Sequence, residues 1–212
     1  AMRMCVWAPA AAVALQAGLW NGTSAFAQDI SKLKPKDIPR LMEEADKFLA
    51  ANDLPKAEAY LKAIVGLDPK QSQAAYKLAR VCSSQKDTDC AMTNYRLALG
   101  ALTGGDKAQA HLGLATGHLA AQRYSDAAEH AGAALALDAT LTPAHLIRAE
   151  SLVKVKSPDA LAACEAAVKA VPDSVVAQAS LGEALVAAGR LPDAEAPLRR
   201  TLELDPKRAG AA

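Results

Sequence analysis

The stretch from Val175 to Pro206, VVAQASLGEALVAAGRLPDAEAPLRRTLELDP, decides the fold. On both sides of Gly189-Arg190-Leu191 its apolar residues recur with the spacing of one face of an α-helix. The glycine marks a turn between two short helices. Asp205-Pro206 ends the second helix, because proline cannot continue a helix. The stretch therefore predicts a hairpin of two helices packed back to back.

Most of the upstream sequence repeats this outline. Two columns of small residues run through it, one in the first helices at spacings of 34, 36, 34 and 33 residues, and one in the second helices at 34, 36, 33 and 34. The first column is Ala45, Ala79, Ala115, Ala149 and Gly182, and the second is Ala57, Ala91, Ala127, Ala160 and Ala194. Because both columns share one period, we predict hairpins at 38–71, 72–105, 108–141, 142–174 and 175–208. In this division Gly104-Gly105 closes the second hairpin, a linker occupies 28–37 and a short tail 209–212.

The composition agrees with an all-helical chain. Hydrophobic residues make up 51% of the sequence but aromatic residues only 4%, so alanine and leucine dominate the apolar content. Both are strong helix formers. The 24 Lys and Arg residues nearly balance the 23 Asp and Glu residues. This balance predicts neither a basic face for nucleic acid nor an acidic tail.

The N-terminal segment predicts an export signal. Arg3 precedes an apolar stretch from Cys5 to Trp20, and Ser24-Ala25-Phe26-Ala27 offers small residues for cleavage before Gln28. The stretch is shorter than the roughly 20 residues that a spanning helix needs. We therefore expect residues 1–27 to be a signal peptide, with an exported, periplasmic mature protein that does not itself enter the membrane. The alternative is an uncleaved membrane anchor.

The 34-residue period of helical hairpins resembles the tetratricopeptide repeat family. The resemblance covers Ile38 to Arg208 and is clearest in the last unit. The matching residues there are Leu181-Gly182, Leu185, Gly189-Arg190-Leu191, Ala194, Leu198, Leu202, Leu204 and Asp205-Pro206. The family's usual tryptophan near the start of each unit is replaced by Leu41, Ala75, His111, His145 and Gln178. The resemblance implies an all-α, right-handed superhelical solenoid of about five units.

In this family the first helices line a concave groove that binds partners, so the resemblance also implies which residues face inward. They are Tyr76, Lys77, Arg80, Leu112, Thr116, Leu119, Leu146, Ile147, Glu150 and Val153, flanked by Met42, Glu43 and Asp46 and by Ala179, Glu183 and Val186. Lys77 and Arg80 form a basic spot. The apolar members are either exposed, to hold an amphipathic helix or an extended apolar segment, or partly buried between neighbouring helices. A clamp for C-terminal carboxylates is not expected, because the asparagine that it needs is absent from these places.

The cysteines and histidines allow predictions about individual residues. The turn between Cys82 and Cys90 brings the two sulfurs within reach of a disulfide, although two free thiols remain the alternative. Cys164 is expected to be a small core residue. His111 and His145 occupy equal places in adjacent units without an evident third ligand, so we expect no metal site. Gly113-x-x-x-Gly117 follows no strand, so it is no phosphate loop.

These observations predict a non-enzymatic adaptor or scaffold of the bacterial cell envelope, without a cofactor, that holds a protein or peptide partner in its groove. The alternative is a membrane-anchored structural subunit of a larger envelope complex. The last hairpin adds a second expectation. Leu185, Leu198 and Leu202 lie close to the chain end, with only Lys207 to Ala212 following, so we expect either burial inside the unit or assembly through the C-terminal end.

Overall fold

The computed structural model describes residues 33–207. The predicted signal peptide, most of the predicted linker and the tail at 209–212 lie outside the described residues. A 3-10 turn at Pro35–Asp37 leads into ten α-helices, and the described residues contain no strand. The helices are α1 (Ile38–Ala50), α2 (Leu54–Leu67), α3 (Ser72–Ser84), α4 (Thr88–Ala98), α5 (Gly104–Ala120), α6 (Tyr124–Leu137), α7 (Thr142–Lys154), α8 (Ala160–Ala170), α9 (Val175–Ala187) and α10 (Leu191–Leu204).

The ten helices form five hairpins that stack in chain order. Each odd-numbered helix packs against the even-numbered helix that follows it, and each even-numbered helix packs against the next hairpin. First helices also meet across units, α3 with α5, α5 with α7 and α7 with α9, whereas second helices of neighbouring units have no contact of that extent within residues 33–207. The first helices therefore lie on the tighter, inner side of the stack. The predicted all-α solenoid of about five helical hairpins is confirmed.

The turns inside the hairpins share one backbone conformation. Their central residues have φ angles of 56° (Asn52), 64° (Lys86), 57° (Gln122), 54° (Lys156) and 74° (Gly189). The N–H of the following residue donates to a carbonyl oxygen five residues back at 2.9 Å in every hairpin, which satisfies a carbonyl that the helix end leaves free. The five donors are Asp53, Asp87, Arg123, Ser157 and Arg190. Four of the five turns thus place a non-glycine residue in the left-handed region.

The small-residue columns lie where the two helices of each hairpin cross. The four alanines of the first column, at 45, 79, 115 and 149, have no exposed surface. At Gly182, an added Cβ would come within 2.6 Å of Leu198 Cγ on the paired helix. Because a larger side chain at these places would collide with the partner helix, the columns set the distance between the helices.

The core changes in composition along the stack. The aromatic pairs Phe48–Tyr60 and Tyr76–Tyr95 pack in the first two hairpins. From residue 125 to 207 the chain contains no Phe, Tyr or Trp. Alanines dominate the buried clusters of the later hairpins, which also include Ile147 and Cys164. Small side chains bury less apolar area each, so the later hairpins depend more on close backbone approach.

The structure corrects the expected junction of the second and third hairpins. Gly104-Gly105 does not close the second hairpin, because α5 begins at Gly104 and runs for 17 residues. Asp106 lies in its first turn, where a carboxylate interacts favourably with the helix dipole. The spacing from Ala79 to Ala115 is 36 residues, two more than the period of 34. These two extra residues lengthen α5 and do not form a loop.

We predict that Lys156→Gly raises the free energy of unfolding by about 0.5–1 kcal/mol. The left-handed conformation costs an L-residue roughly 1–2 kcal/mol, and the greater entropy of glycine in the unfolded chain cancels part of the gain. Gly189→Ala, the reciprocal change, should lower stability by about 1 kcal/mol. Urea denaturation followed by circular dichroism measures both. Destabilisation by Lys156→Gly would contradict the assigned turn.

Candidate interaction groove

The inner face of the stack exposes fewer of the predicted groove residues than the sequence suggested. Arg80 and Thr116 are exposed, and Lys77, Leu112, Leu119, Leu146, Glu150 and Val153 are half-buried. Tyr76 and Ile147 are buried, with 6% and 8% of their surface exposed. Both pack into the core between helices, so their assignment as groove residues was wrong.

The predicted basic spot is partly neutralised within the chain. Lys77 Nζ pairs with the carboxylate of Asp46 on the neighbouring first helix and lies 3.8 Å from Met42 Sδ. The guanidinium of Arg80 lies 5.8 Å from the centre of the Tyr76 ring. No carboxylate in residues 33–207 forms an ion pair with Arg80. Arg80 is therefore the cation of this spot that remains available to a partner.

The apolar side chains that were predicted to line the groove are mostly part of the core. Leu112 and Leu119 pack against the buried cluster that contains Ala115. Leu146 and Val153 pack against the cluster that contains Ala149. Of the two alternatives for these side chains, the structure has them partly buried between neighbouring helices.

A cleft of about 290 Å³ opens between the second and third hairpins. Glycines create room at its wall, because an added Cβ on Gly113 would lie 2.5 Å from Tyr95 Cζ and one on Gly117 would lie 2.6 Å from Met92 Sδ. Apolar side chains form its interior, and hydroxyl, amide and ammonium groups lie among them. The lining residues are Ser83, Lys86, Thr88, Ala91, Met92, Tyr95, Gln109, Leu112, Gly113, Thr116, Gly117 and Ala120.

Sequence reasoning missed this cleft, although Leu112 and Thr116 were predicted to face the groove. The available signal was Gly113-x-x-x-Gly117 inside a helix, since two glycines one turn apart often mark a close approach of another element. Their role here is to admit Tyr95 and Met92 of α4 against α5.

A disulfide joins Cys82, in the last turn of α3, to Cys90, in the first turn of α4. Their Cα atoms are 5.8 Å apart. Asp87 accepts a hydrogen bond from the Cys90 N–H at 3.0 Å and caps α4. Ser83, Thr88 and Ala91 flank the disulfide in sequence and also line the cleft. The crosslink therefore fixes the helix ends that form one wall of the cleft.

The third cysteine of the described residues, Cys164, and the two histidines His111 and His145 lie outside the cleft lining. Cys164 is fully buried, and its burial raises the pKa of the thiol to about 12, as expected of a structural residue. His111 and His145 do not meet. His111 Nδ1 lies 3.1 Å from His130 Nδ1, and His145 Nε2 lies 3.0 Å from the carbonyl oxygen of Ala139.

The last hairpin exposes part of its predicted apolar face. Leu185 is buried, with 5% of its surface exposed, which is the first of the two alternatives, burial inside the unit. Leu198 and Leu202 are exposed, at 37% and 45%, and Leu191 is exposed at 62%.

Two further properties hold for the described residues, 33–207. No three His, Cys, Asp or Glu side chains there are arranged to hold a metal ion. No helix in that range is long and apolar enough to cross a membrane.

Comparison with known sequences identifies the repeats. The sequence model of the tetratricopeptide repeat matches residues 42–107 and 156–209, which is more than half of the chain. The chain belongs to the tetratricopeptide repeat family. The match omits 108–155, where α5, α6 and α7 nevertheless continue the same hairpin pattern. No curated protein sequence matches the chain significantly.

Solved tetratricopeptide repeat structures share the fold at low sequence identity. YrrB, described as a protein with an unusual peptide-binding site, has a TM-score of 0.69 at 20% identity, covering 87% of this chain and 94% of its own. A MamA protein has a TM-score of 0.66 at 20% identity, with 82% and 95% covered. MamA from Desulfovibrio magneticus RS-1 has a TM-score of 0.61 at 15% identity, with 81% and 96% covered.

We predict that Gly113→Ala lowers the free energy of unfolding by about 1–3 kcal/mol, because the new methyl group meets the rigid ring of Tyr95. Gly66→Ala is the matched control. An added Cβ there meets nothing within 4 Å, so the change should be neutral or stabilising by up to about 1 kcal/mol. Thermal and urea denaturation measure both. Equal responses of the two variants would contradict the close contact at Gly113.

We also predict that the double variant Cys82→Ser, Cys90→Ser is less stable than the wild type by about 2–3 kcal/mol, because the disulfide no longer restricts the unfolded chain. Dithiothreitol should lower the melting temperature of the wild type and leave that of the double variant unchanged. Cys164→Ser serves as a control that keeps the response to dithiothreitol. A wild type insensitive to reductant would contradict a stabilising disulfide.

Proposed function

We propose that this protein is a non-enzymatic scaffold that holds a peptide segment of a partner protein on its inner face. The observation that carries the proposal is the cleft between the second and third tetratricopeptide repeats, which is lined by the exposed Thr116 and by Ser83, one helical turn after the exposed Arg80. A concave, mainly apolar cavity with a few polar groups at its edge is the usual form of a binding site. YrrB, which shares the fold, is described as having a peptide-binding site.

The charges around the cleft indicate which partner segment fits. Lys86 lines the cleft, and Arg80 lies one helical turn before Ser83, another lining residue. Neither cation forms an ion pair with a carboxylate in residues 33–207. An apolar side chain followed or preceded by an acidic residue would fill the cleft and pair with these cations.

The proposed location is the bacterial cell envelope, outside the cytoplasm. The signal-like segment at 1–27 supports export. The disulfide between Cys82 and Cys90 supports it independently, because structural disulfides persist in oxidising compartments and are rare in the cytosol.

The proposed second contact surface is the exposed face of α10, and its proposed occupant is another helical hairpin. In the earlier repeats, each of which is followed by another hairpin, the places equivalent to Leu198 are buried. They are Leu61, Tyr95, Ala131 and Cys164. Leu198 and Leu202 therefore present the same stacking surface without a cover in the described residues, and a helical hairpin is the shape that this surface fits elsewhere in the chain.

We predict that Arg80→Glu and Thr116→Trp each reduce capture of the partner about tenfold or more. The first reverses a charge beside the cleft and the second obstructs the cleft, and a central contact of an interface typically contributes about 2 kcal/mol. Tagged full-length protein expressed in its own cells, crosslinked and purified, measures capture by quantitative mass spectrometry. Lys77 and Leu146 are unsuitable for this test, because each also holds the fold together.

Two exposed residues on second helices provide matched controls. Thr93→Trp adds the same bulk on α4, outside the cleft lining, and Lys169→Glu reverses a charge on α8. Both should capture the partner as the wild type does. If the groove variants and the controls recover the same proteins in equal amounts, the inner face is not the binding surface.

A further inference from the structure

Three of the four histidines of the chain come together between α5 and α6. His111 and His118 lie two turns apart on α5, and His130 projects from α6 between them. The ring centre of His130 is 5.3 Å from that of His111 and 5.2 Å from that of His118. His118 is buried, while His111 and His130 are half-buried. The cluster lies at the helix interface of the third repeat.

One contact in this cluster depends directly on protons. His111 Nδ1 and His130 Nδ1 are 3.1 Å apart, so one nitrogen must donate and the other must accept. If both rings are protonated, neither Nδ1 can accept, and two positive charges face each other. The contact is therefore stable only while at least one ring is neutral.

His118 has alternative partners on the same nitrogen. Its Nδ1 lies 3.1 Å from the Arg123 Nε, a donor, and 3.1 Å from the Asp126 Oδ2, an acceptor. A neutral His118 that accepts at Nδ1 bonds to Arg123, whereas a protonated His118 donates to Asp126. Protonation therefore exchanges one partner for the other at the start of α6.

We propose that these three histidines form a proton-operated switch, which loosens the packing of α5 on α6 as the surroundings become mildly acidic. Helix α5 also carries Leu112, Gly113, Thr116 and Gly117 of the cleft. Loosening α5 therefore changes the shape of the cleft. The effect on partner binding rests on the proposed function, whereas the response to protons is measured without a partner.

The electrostatic surroundings agree with the direction of this response. Desolvation lowers the pKa of His111, His118 and His130 below the ordinary value, and the histidine neighbours of His111 and His130 lower it further. Asp126 and Glu129 oppose this shift only in part. The charged groups that act on the cluster are Arg96 from α4, Lys107 from α5, and Arg123, Asp126 and Glu129 from the start and first turns of α6.

The other helices packed on the pair contribute different groups. Helix α7 packs on α6 and places Arg148 Nε 3.7 Å from the position of a Cβ on Gly132. It also carries His145, which contacts the carbonyl oxygen of Ala139. Helix α3 meets α5 through Gln73, whose amide donates to Asp106 at 3.3 Å. Arg148 is thus a cation that α7 places beside α6.

The sign of the pH dependence follows from these pKa directions. A histidine with a lowered pKa in the folded state binds protons more readily when unfolded, where its pKa is about 6.5. The three histidines therefore contribute their full stability above about pH 6.5. This contribution is lost as the pH falls below that value and through the lowered values of the folded state.

The experiment compares melting temperatures of the full chain at pH 7.5 and pH 5.5, in EDTA. The wild type should melt about 3 °C or more lower at pH 5.5. His130→Gln should show a clearly smaller difference between the two pH values. His145→Gln is the matched control, because His145 occupies in α7 the place of His111 in α5, and it should keep the wild-type difference. Equal differences in all three proteins would overturn the proposal.

Two further measurements keep the test decisive if His130→Gln folds poorly. Nitrogen-15 NMR of the wild-type imidazoles should show titration midpoints below the ordinary value of about 6.5 for His111, His118 and His130. Hydrogen exchange, corrected for the intrinsic effect of pH, should show protection lost at pH 5.5 mainly in 104–137. Midpoints at or above the ordinary value for the three clustered histidines, or a uniform loss of protection over 38–207, would contradict the switch. If Zn²⁺ raises the melting temperature of the wild type and not of His130→Gln, the cluster is a metal site and the proposal fails.

Discussion

The structure depends on the close approach of two helices inside each hairpin. Alanine or glycine at the crossing lets the backbones come together, and every other dimension of the stack follows from that distance. A hairpin of this kind buries only one face, so its stability comes from stacking on its neighbours. The residues that repeat most regularly, such as Ala45 and Ala57, are for this reason the smallest ones. They contribute little apolar area themselves but determine how well the larger side chains around them pack.

The same constraint produces the cleft. Where the first-helix surface of α5 carries Gly113 and Gly117, the side chains of Tyr95 and Met92 enter the space that a Cβ would otherwise take. At the other interfaces between hairpins, alanines and leucines fill the space between the helices. Here two large side chains lie against a helix surface with two glycines, and they leave part of that space empty. The cavity is thus a by-product of packing a bulky helix on a glycine-bearing one. Its polar edge, from Ser83 to Thr88, comes from the turn that the disulfide crosslinks.

How much the sequence predicted depends on whether a feature lies within one repeat or between repeats. The small columns, the turns and the Cys82–Cys90 pair are local, because their partners are a fixed distance along the chain. The ion pair of Lys77 with Asp46 depends on the offset between neighbouring first helices, which the period alone does not give. The burial of Tyr76 and Ile147 has the same origin. The period relates His111 to His145, which share a place in the repeat, but the actual neighbour of His111 is His130 on the paired helix. Residues at the same place in different repeats have similar surroundings, but they usually lie too far apart in the stack to touch.

Helix α5 carries both the cleft residues and two of the clustered histidines, and it also lies at the boundary between two parts of the core. Leu114 belongs to the aromatic-containing cluster of the first two repeats, and the adjacent Ala115 belongs to the alanine-rich cluster of the third. The helix therefore joins a part of the stack held by large side chains to a part held by close backbone approach. A gap of about 0.5–1 Å already removes a quarter to a half of the energy of a van der Waals contact. A large flexible side chain can adjust to close such a gap, whereas the single methyl group of an alanine cannot. A change in protonation at the α5–α6 interface thus acts on the alanine-rich part of the stack, where packing is more sensitive to small displacements. The aromatic side, with Tyr95 and the disulfide, keeps the opposite wall of the cleft in place, so that loosening α5 changes the width of the cleft instead of shifting both walls together.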